Sequence, residues 1–480
     1  MALPQIPILR RGQIYESLDH IELNDVCSGE AVATVSQANA GLIRRDLRRS
    51  SRDALRAVPS ERLLEICADA GRLFMEADLP LSGGQMQSPA AYMDLLSACS
   101  GLPYSLIRRN MAKINQVFRE MPTILRGLTR GMDLSVLDTG MGEQSGVPIS
   151  YFAVTEALGV VLPSNSPGVN SLWMPAIALK IPVVLKPGRE EPWTPFRIIQ
   201  AFIAAGCPPE AFSFYPTDHE GSAAVLEGCG RALVFGDVST VERYSSNPAV
   251  EVHGPGWSKI LIGDDCIERW PEFVDLIVTS ISDNGGRSCV NASALLVPRY
   301  GDEIAEAVAT KLASLIPRSK ADDDAILAGF ANRRVAESID SAITADLEAP
   351  GATDITQSHR TEPRLANRDG SMFLLPTLVK CDSWDHPLAN REFLFPYASL
   401  VEMPQDQMPE KIGPSLVVTA ITQDAGFIDR LIASPHIARL NVGPAPTTRV
   451  QWDQPHEGNL FEFLYRRRAI HRVAVDAPAK

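Results

Sequence analysis

The chain has 480 residues, more than a single core accommodates, so two or three domains are expected. Its 58 acidic residues outnumber 45 basic ones for a net charge of −13, with no long basic run, which makes nucleic acid and anionic membranes poor partners. No apolar stretch spans a bilayer, the amino end lacks a signal-peptide pattern, and the eight cysteines form no C-x-x-C pair, so a cytoplasmic protein with reduced thiols and no metal site is expected.

Residues 40 to 130 read as helices. Leu55, Val58, Leu63, Leu64, Ile66 and Cys67 recur at helical spacing, and Tyr92, Met93, Leu95 and Leu96 open a second packing face. From Leu128 to Val161 the apolar runs shorten and are broken by Gly and Pro; Val147–Val154 and Leu158–Leu162 predict strands, some in an extended arm. Strand and helix then alternate to residue 240. The strands are Leu158–Leu162, Pro182–Leu185, Phe212–Tyr215 and Ala232–Phe235. Between them fall a helix Leu172–Leu179 with Pro175 in its first turn, a helix capped by Thr194 and stopped by Gly206, and a helix Ser222–Leu226. This alternation predicts a parallel sheet covered by helices, which binds nucleotides at the carboxyl ends of its strands. A second α/β segment runs from Lys259 to about Leu440, with a strand Lys259–Ile262, a helix Trp270–Ile281, a strand after Cys289 and a helix Ile304–Leu315. The polar stretch Pro350–Ser371 reads as a long surface loop. The apolar tail Asn459–Tyr465 reads as a strand, paired either with a partner subunit or with its own core.

Several residues stand where chemistry is done. In Asp283-Asn284-Gly285-Gly286-Arg287-Ser288-Cys289, a flexible turn delivers a thiol at the mouth of a strand; an isolated cysteine is otherwise a buried structural residue. Asn165 follows a strand directly, where its amide can donate into a site or serve a turn. Lys186-Pro187-Gly188-Arg189 puts two cations after the next strand, suited to ribose or phosphate or simply to solvent. Gly236 precedes a helix starting near Ser239 or Thr240, a place that can hold a pyrophosphate, although no G-x-G-x-x-G is present. His253-Gly254-Pro255-Gly256 lets a backbone approach something closely. Glu392 stands against the aromatic run Phe393–Pro396.

Taken in order, these pieces resemble the aldehyde dehydrogenase superfamily over roughly Ala157–Ala398. Asn165 matches the asparagine of P-W-N-x-P, Lys186-Pro187 matches K-P-S-E, Asn284–Cys289 matches N-x-G-Q-x-C, and Glu392 and Pro396 match the ends of E-x-F-G-P. The resemblance implies an α/β fold of three parts. These are a Rossmann-like cofactor domain (1–130 and 156–250), an α/β catalytic domain (251–440) and a small β oligomerisation arm (131–155 and 455–480). It also implies that Cys289 is the nucleophile, that Asn165 and the Cys289 N–H form an oxyanion hole, and that Lys186 and Glu392 reach the two riboses of NAD or NADP. Pro187, Gly188, Arg189, Gly236 and Ser239 complete the implied cofactor contacts. A homodimer or homotetramer is implied as well.

The departures from the pattern carry the finer expectation. Counting back from Asp264-Asp265, the E-L-G-G-K block of hydrolytic members falls on His253–Trp257, so the glutamate that activates water is His253. The Gly-Pro-Gly run is closer to the branch that passes the acyl group to coenzyme A. An acyl-CoA reductase, interconverting acyl-CoA plus NAD(P)H with aldehyde plus CoA, is therefore expected, with His253 either a spacer or a group that takes the proton of the CoA thiol. The alternatives are a hydrolytic aldehyde dehydrogenase with a non-glutamate base, and a non-catalytic scaffold. Arg189, where NAD-preferring relatives carry a glutamate, favours NADP. Phe395 replaces the motif's glycine.

Overall fold

The structure, a computed structural model, describes residues 3–471. Two seven-stranded sheets organise it. In the first, Val250–His253, Arg231–Phe235, Leu158–Val161, Val183–Lys186 and Phe212–Phe214 lie side by side in parallel, with Leu158 opposite both Val183 and Arg231. Ile8–Arg10 and Gln13–Tyr15 extend it with antiparallel pairing. The chain moves outward from Leu158–Val161 in one direction, then returns to its other side with Arg231–Phe235. That reversal leaves a crevice at the carboxyl ends of these two strands, the place where open α/β sheets bind ligands. The strands are buried on both faces, as their Val- and Leu-rich runs require.

The covering helices differ in detail from the expected ones. The N-cap of Trp193–Ala204 is Pro192, not Thr194, and the buried carboxyl of Glu191 just before it accepts from the Thr194 N–H and hydroxyl. Thr194 lies inside the helix. In place of the expected helix Leu172–Leu179 stand a 3₁₀ turn Pro167–Leu172 and a short helix Pro175–Ala178, because Pro175 lacks the N–H that would continue a ladder and instead takes the first position of a new helix.

The second sheet has the order Ala352–Asp354, Thr377–Cys381, Tyr397–Glu402, Ala292–Val297, Ser258–Ile262, Ser415–Ile421, Ile437–Val442, with only the first strand antiparallel. The Pro350–Ser371 stretch is not a loop. It supplies that edge strand and a hairpin Leu365–Arg368 with Ser371–Leu374. Its polar side chains are turned inward in pairs: Arg360 with Asp354 at 2.5 Å and Arg364 with Asp340 at 2.8 Å. A three-stranded arm joins Met141–Gln144, Val147–Ala153 and Tyr465–Arg468. The tail is thus corrected. Asn459 caps a short helix Leu460–Leu464, and the strand starts at Tyr465, paired with Ala153 of the same chain. Residues 472–480 of the expected arm lie outside the described residues. Among the described residues no helix is long and apolar enough to cross a membrane.

The two sheets meet through four residues. His253 ends the edge strand Val250–His253 of the first sheet, and Ser258 begins the strand of the second sheet that lies beside its central strand Ala292–Val297. Everything chemically notable lies around that join.

Candidate active site

Cys289 sits in a turn between the helix Val274–Ser282 and the strand Ala292–Val297. Three consecutive residues before it are left-handed: Asn284 (φ 53°), Gly285 (φ 68°) and Gly286 (φ 67°). Gly286 must lack a side chain, since a Cβ there would stand 2.3 Å from the Pro396 nitrogen. Asn284 tolerates its conformation because its amide is fully used. Its Oδ1 accepts from Asn110 at 2.7 Å, and its Nδ2 donates to the hydroxyls of Ser166 (2.9 Å) and Ser288 (3.1 Å). Asn291 accepts from the Ser288 N–H at 2.8 Å and donates to the carbonyls of Ser280 and Asp283. Arg287 is buried on the carbonyls of Ser100, Ala328 and Gly329, and burial lowers its guanidinium to about 10. The Cys289 carbonyl accepts from the Ser258 hydroxyl at 2.8 Å, and a Cβ on Gly256 would come within 1.8 Å of that oxygen. The close approach expected of the His253–Gly256 run is therefore to the cysteine itself.

The thiol opens on a cavity of about 660 Å³, a size suited to a small-molecule site. Burial pushes the Cys289 thiol up to about 12, with the charges of Glu392 and Glu457 adding and Lys113 opposing. The resting nucleophile is thus protonated and needs a base. Asn165 lines the same cavity. One N–H of its amide donates to the Arg287 carbonyl at 2.7 Å, and its Oδ1 is buried without a hydrogen-bond partner among the described residues. An amide has two N–H groups, so one remains for a ligand.

His253 is 6% exposed and lies flat against Phe235, ring centroids 4.7 Å apart. Its Nδ1 is 2.7 Å from Glu457 Oε2. Its Nε2 is buried without a hydrogen bond among the described residues, 3.5 Å from Glu251 Oε1. Both glutamates and the histidine line the cavity. Glu392 also faces it, but its two carboxylate oxygens accept from the N–H groups of Gly256 (3.1 Å) and Trp257 (2.6 Å). Burial raises this carboxyl to about 7, and those two N–H groups hold it back from rising further. It braces the bridge between the sheets.

The family model for the aldehyde dehydrogenase family matches residues 86–408, about two-thirds of the chain. The chain belongs to the aldehyde dehydrogenase family. No curated protein matches the sequence. The fold is shared over nearly the full length with solved structures. A Burkholderia cenocepacia protein assigned as an aldehyde dehydrogenase aligns at 18% identity and a TM-score of 0.79, covering 99% of each chain. The NAD-dependent aldehyde dehydrogenase from Sinorhizobium meliloti aligns at 16% identity and 0.78, covering 100% of this chain and 96% of that one. The aldehyde dehydrogenase KauB from Pseudomonas aeruginosa aligns at 15% and 0.79, covering 98% and 97%.

Within this family member the remaining expected residues divide. Lys186 ends its strand beside the crevice, partly buried, its Nζ making no hydrogen bond or ion pair among the described residues; burial lowers its ammonium, and Glu190 and Asp218 oppose that. Gly188 packs so tightly that a Cβ would meet the Pro163 carbonyl oxygen at 2.4 Å, and Arg189 is exposed. The Gly236 turn differs from expectation. The helix there is Val238–Tyr244, and Asp237 caps it, accepting from the Thr240 N–H at 3.0 Å and the Ser239 hydroxyl at 2.7 Å. A carboxylate already occupies the donors where a pyrophosphate was expected. Four residues escaped the sequence reading altogether: Lys113, Arg439, His456 and Glu457 all line the cavity. They come from two regions more than 320 positions apart in sequence, and no local motif marks them. The one available signal was His456-Glu457-Gly458, a histidine and a carboxylate in a turn just ahead of the apolar tail.

Proposed function

We propose that the chain oxidises an aldehyde to its carboxylic acid with NAD(P)+ as acceptor, through a Cys289 thioester that water hydrolyses. The observation that carries this reading is the convergence of Cys289, the Asn165 amide and the His253–Glu457 pair on one cavity. Family membership and the likeness to an NAD-dependent aldehyde dehydrogenase support it.

The cleft suits a nicotinamide dinucleotide. Leu172, Pro175, Leu233 and Phe235 give it an apolar wall, and the unpaired Lys186 ammonium stands at the adjoining strand end. Lys186 with Pro187 and Gly188 would hold a ribose, and Arg189 a 2′-phosphate. Asp237 keeps phosphate off the helix start, so Gly236 serves as wall rather than as an anion ligand, and Ser239 is exposed with its hydroxyl on Asp237.

The Cys289 thiol first gives its proton to His253 Nε2, which passes it to solvent, and the thiolate adds to the aldehyde carbon, forming a C–S bond as the carbonyl π pair moves onto oxygen. The oxyanion that develops faces the Asn165 amide and the Cys289 N–H, donors worth about 10²–10³ in rate. The chemistry the nicotinamide supplies when bound is acceptance of the aldehydic hydrogen with two electrons. His253, its Nδ1–H held by Glu457, then takes a proton from water at Nε2. The water oxygen forms the C–O bond as C–S breaks, which returns the thiolate. Glu251 stands beside Nε2 and stabilises the imidazolium that forms.

The test is aldehyde oxidation with and without coenzyme A. Full acid production without CoA is expected; strict CoA dependence with an acyl-CoA product would replace this reading with the acylating one. That second reading is favoured by one observation, the histidine and Gly-Pro-Gly run where hydrolytic relatives carry a glutamate. We further place homo-oligomerisation on the arm strands, to be checked by light scattering with the arm residue Phe152, which is exposed, changed to Glu.

A further inference from the structure

Among the described residues, Lys113 is the one cation lining the cavity whose head group is tied to no hydrogen bond or ion pair. It lies on the helix Tyr104–Arg119, and its Nζ makes no hydrogen bond or ion pair among the described residues. A Cβ at Gly168 would stand 3.5 Å from that Nζ, so the ammonium lies beside the Ser166–Gly168 turn next to Asn165. Arg439 reaches the same cavity from the edge strand Ile437–Val442 of the second sheet. Its guanidinium donates to His456 Nδ1 at 3.3 Å and to the Arg449 carbonyl at 2.8 Å. Burial, reinforced by Arg439, His253 and Lys113, holds His456 well below its ordinary range, so the ring is neutral. With Nδ1 accepting from Arg439, the ring proton sits on Nε2. Three N–H donors, two of them charged, therefore converge near Cys289. The carboxylates around them are spoken for: Glu457 by His253, Glu392 by Gly256 and Trp257, and Asp283 by Arg109 at 3.0 Å.

A second cavity of about 210 Å³ shares Lys113, Ser166, Ser288, Val290 and Val450 with the first. It adds Arg109, one helical turn before Lys113 on the same face. Arg109 is paired there with Asp283, which lines the same second cavity, so the charge left for a ligand on this side of the thiol is that of Lys113.

We propose that Lys113, Arg439 and His456 form an anion subsite beside Cys289, and that the substrate is an aldehyde carrying an acidic group, a carboxylate or a phosphate. This rests on the aldehyde-oxidation reading above. The anionic end pairs with the ammonium and the guanidinium and accepts from His456 Nε2, which leaves the carbonyl end for the thiol. Burying a cation without a counter-ion is costly, and a substrate anion removes that cost at the moment of binding.

The test has two parts. The first compares kcat/KM for butanal with succinic semialdehyde, and for glyceraldehyde with glyceraldehyde 3-phosphate. The acidic member of at least one pair is expected to win by about 10–100-fold, and Lys113→Met and Arg439→Met to collapse that ratio mainly through KM. The better pair tells carboxylate from phosphate. If neutral aldehydes turn over and neither acidic partner gains, the subsite is refuted while the oxidation reading stands. If no aldehyde reduces NAD(P)+, the oxidation reading fails. The second part needs no turnover. In cofactor-free protein the Cys289 peptide is followed by mass spectrometry during alkylation with iodoacetate or with iodoacetamide. An anion subsite raises the iodoacetate-to-iodoacetamide rate ratio above that of a free thiol, and Lys113→Met returns it. A ratio no higher than that of free cysteine overturns the proposal. Cations that merely activated the thiol would speed both reagents alike, which also overturns it. Thermal melting of Lys113→Met, a near-isosteric change, shows that the fold is retained.

Discussion

The two sides of the cavity are built in opposite ways. On one side the cysteine loop is over-determined: Asn284, Arg287 and Asn291 spend nearly every polar atom on nearby backbone or hydroxyls, and Gly286 is pressed against the Phe395–Pro396 peptide. On the other side, His253, Glu251 and Glu457 face one another with a buried Nε2 left unpaired. The first arrangement fixes a nucleophile in space. The second keeps a titratable group available, and an unsatisfied buried nitrogen is tolerated where it has a use. Rigidity serves the atom that must be aimed, and an open valence serves the atom that must move a proton.

That contrast can be broken from either side. Cys289→Ala should remove turnover entirely, a loss of at least about 10³-fold in kcat, because nothing else in the cavity supplies a thiol; steady-state NAD(P)H formation measures it. Glu457→Gln and His253→Gln should each slow the hydrolytic half by about 10²-fold or more while leaving a stoichiometric burst of NAD(P)H. Loss of the burst along with turnover would show that the pair does not act in deacylation. On the rigid side, Gly286→Ala should cost about 2–5 kcal/mol of stability, from positive φ and a backbone clash together. Chemical denaturation reads this, and an unchanged midpoint would mean the loop is less constrained than its contacts indicate.

Glu392 sharpens the comparison through pH. Its folded value, about 7, lies above the ordinary carboxylate value, so the native state holds a proton that the unfolded chain gives up. The stability it contributes is complete below about 4.5 and is lost as pH rises through about 7, at most about 3 kcal/mol. Thermal melts of Glu392→Gln between pH 5 and 8 should slope less than those of the parent. The smallest effect expected is at Arg189, which is exposed. Arg189→Glu should shift the NADP/NAD ratio of kcat/KM toward NAD by about 3–10-fold, since an exposed ion pair is worth 1 kcal/mol or so.

Sequence legibility follows the same divide. The cysteine loop is contiguous, and its Asn-Gly-Gly turn and following strand announce themselves in eight residues. The parallel sheet was legible because each strand is a short Val/Leu run between helical segments. The proton-handling side is assembled from strand Val250–His253 and a turn two hundred positions later, so His253 stood out while its partner Glu457 carried only the faint signal of a His-Glu-Gly turn. Asp237 defeated the phosphate expectation because a cap and a phosphate compete for the same N–H groups, and spacing does not say which wins. Pro350–Ser371 looked like surface because arginine and aspartate are usually wet; here they neutralise one another inside. Asn459 turned a strand-like run into a helix by capping it.

The four-residue bridge from His253 to Ser258 has a consequence for redesign. It ties the carboxyl end of one sheet to the amino end of the other while Gly256 rests on the Cys289 carbonyl and accepts from the Leu416 N–H. Widening the cleft by lengthening this bridge would withdraw Gly256 from the thiol loop, so cleft width and nucleophile alignment are one variable, not two. Room for a bulkier aldehyde has to come from trimming wall side chains such as Leu172, Val450 or Trp452, which line the space without holding the bridge.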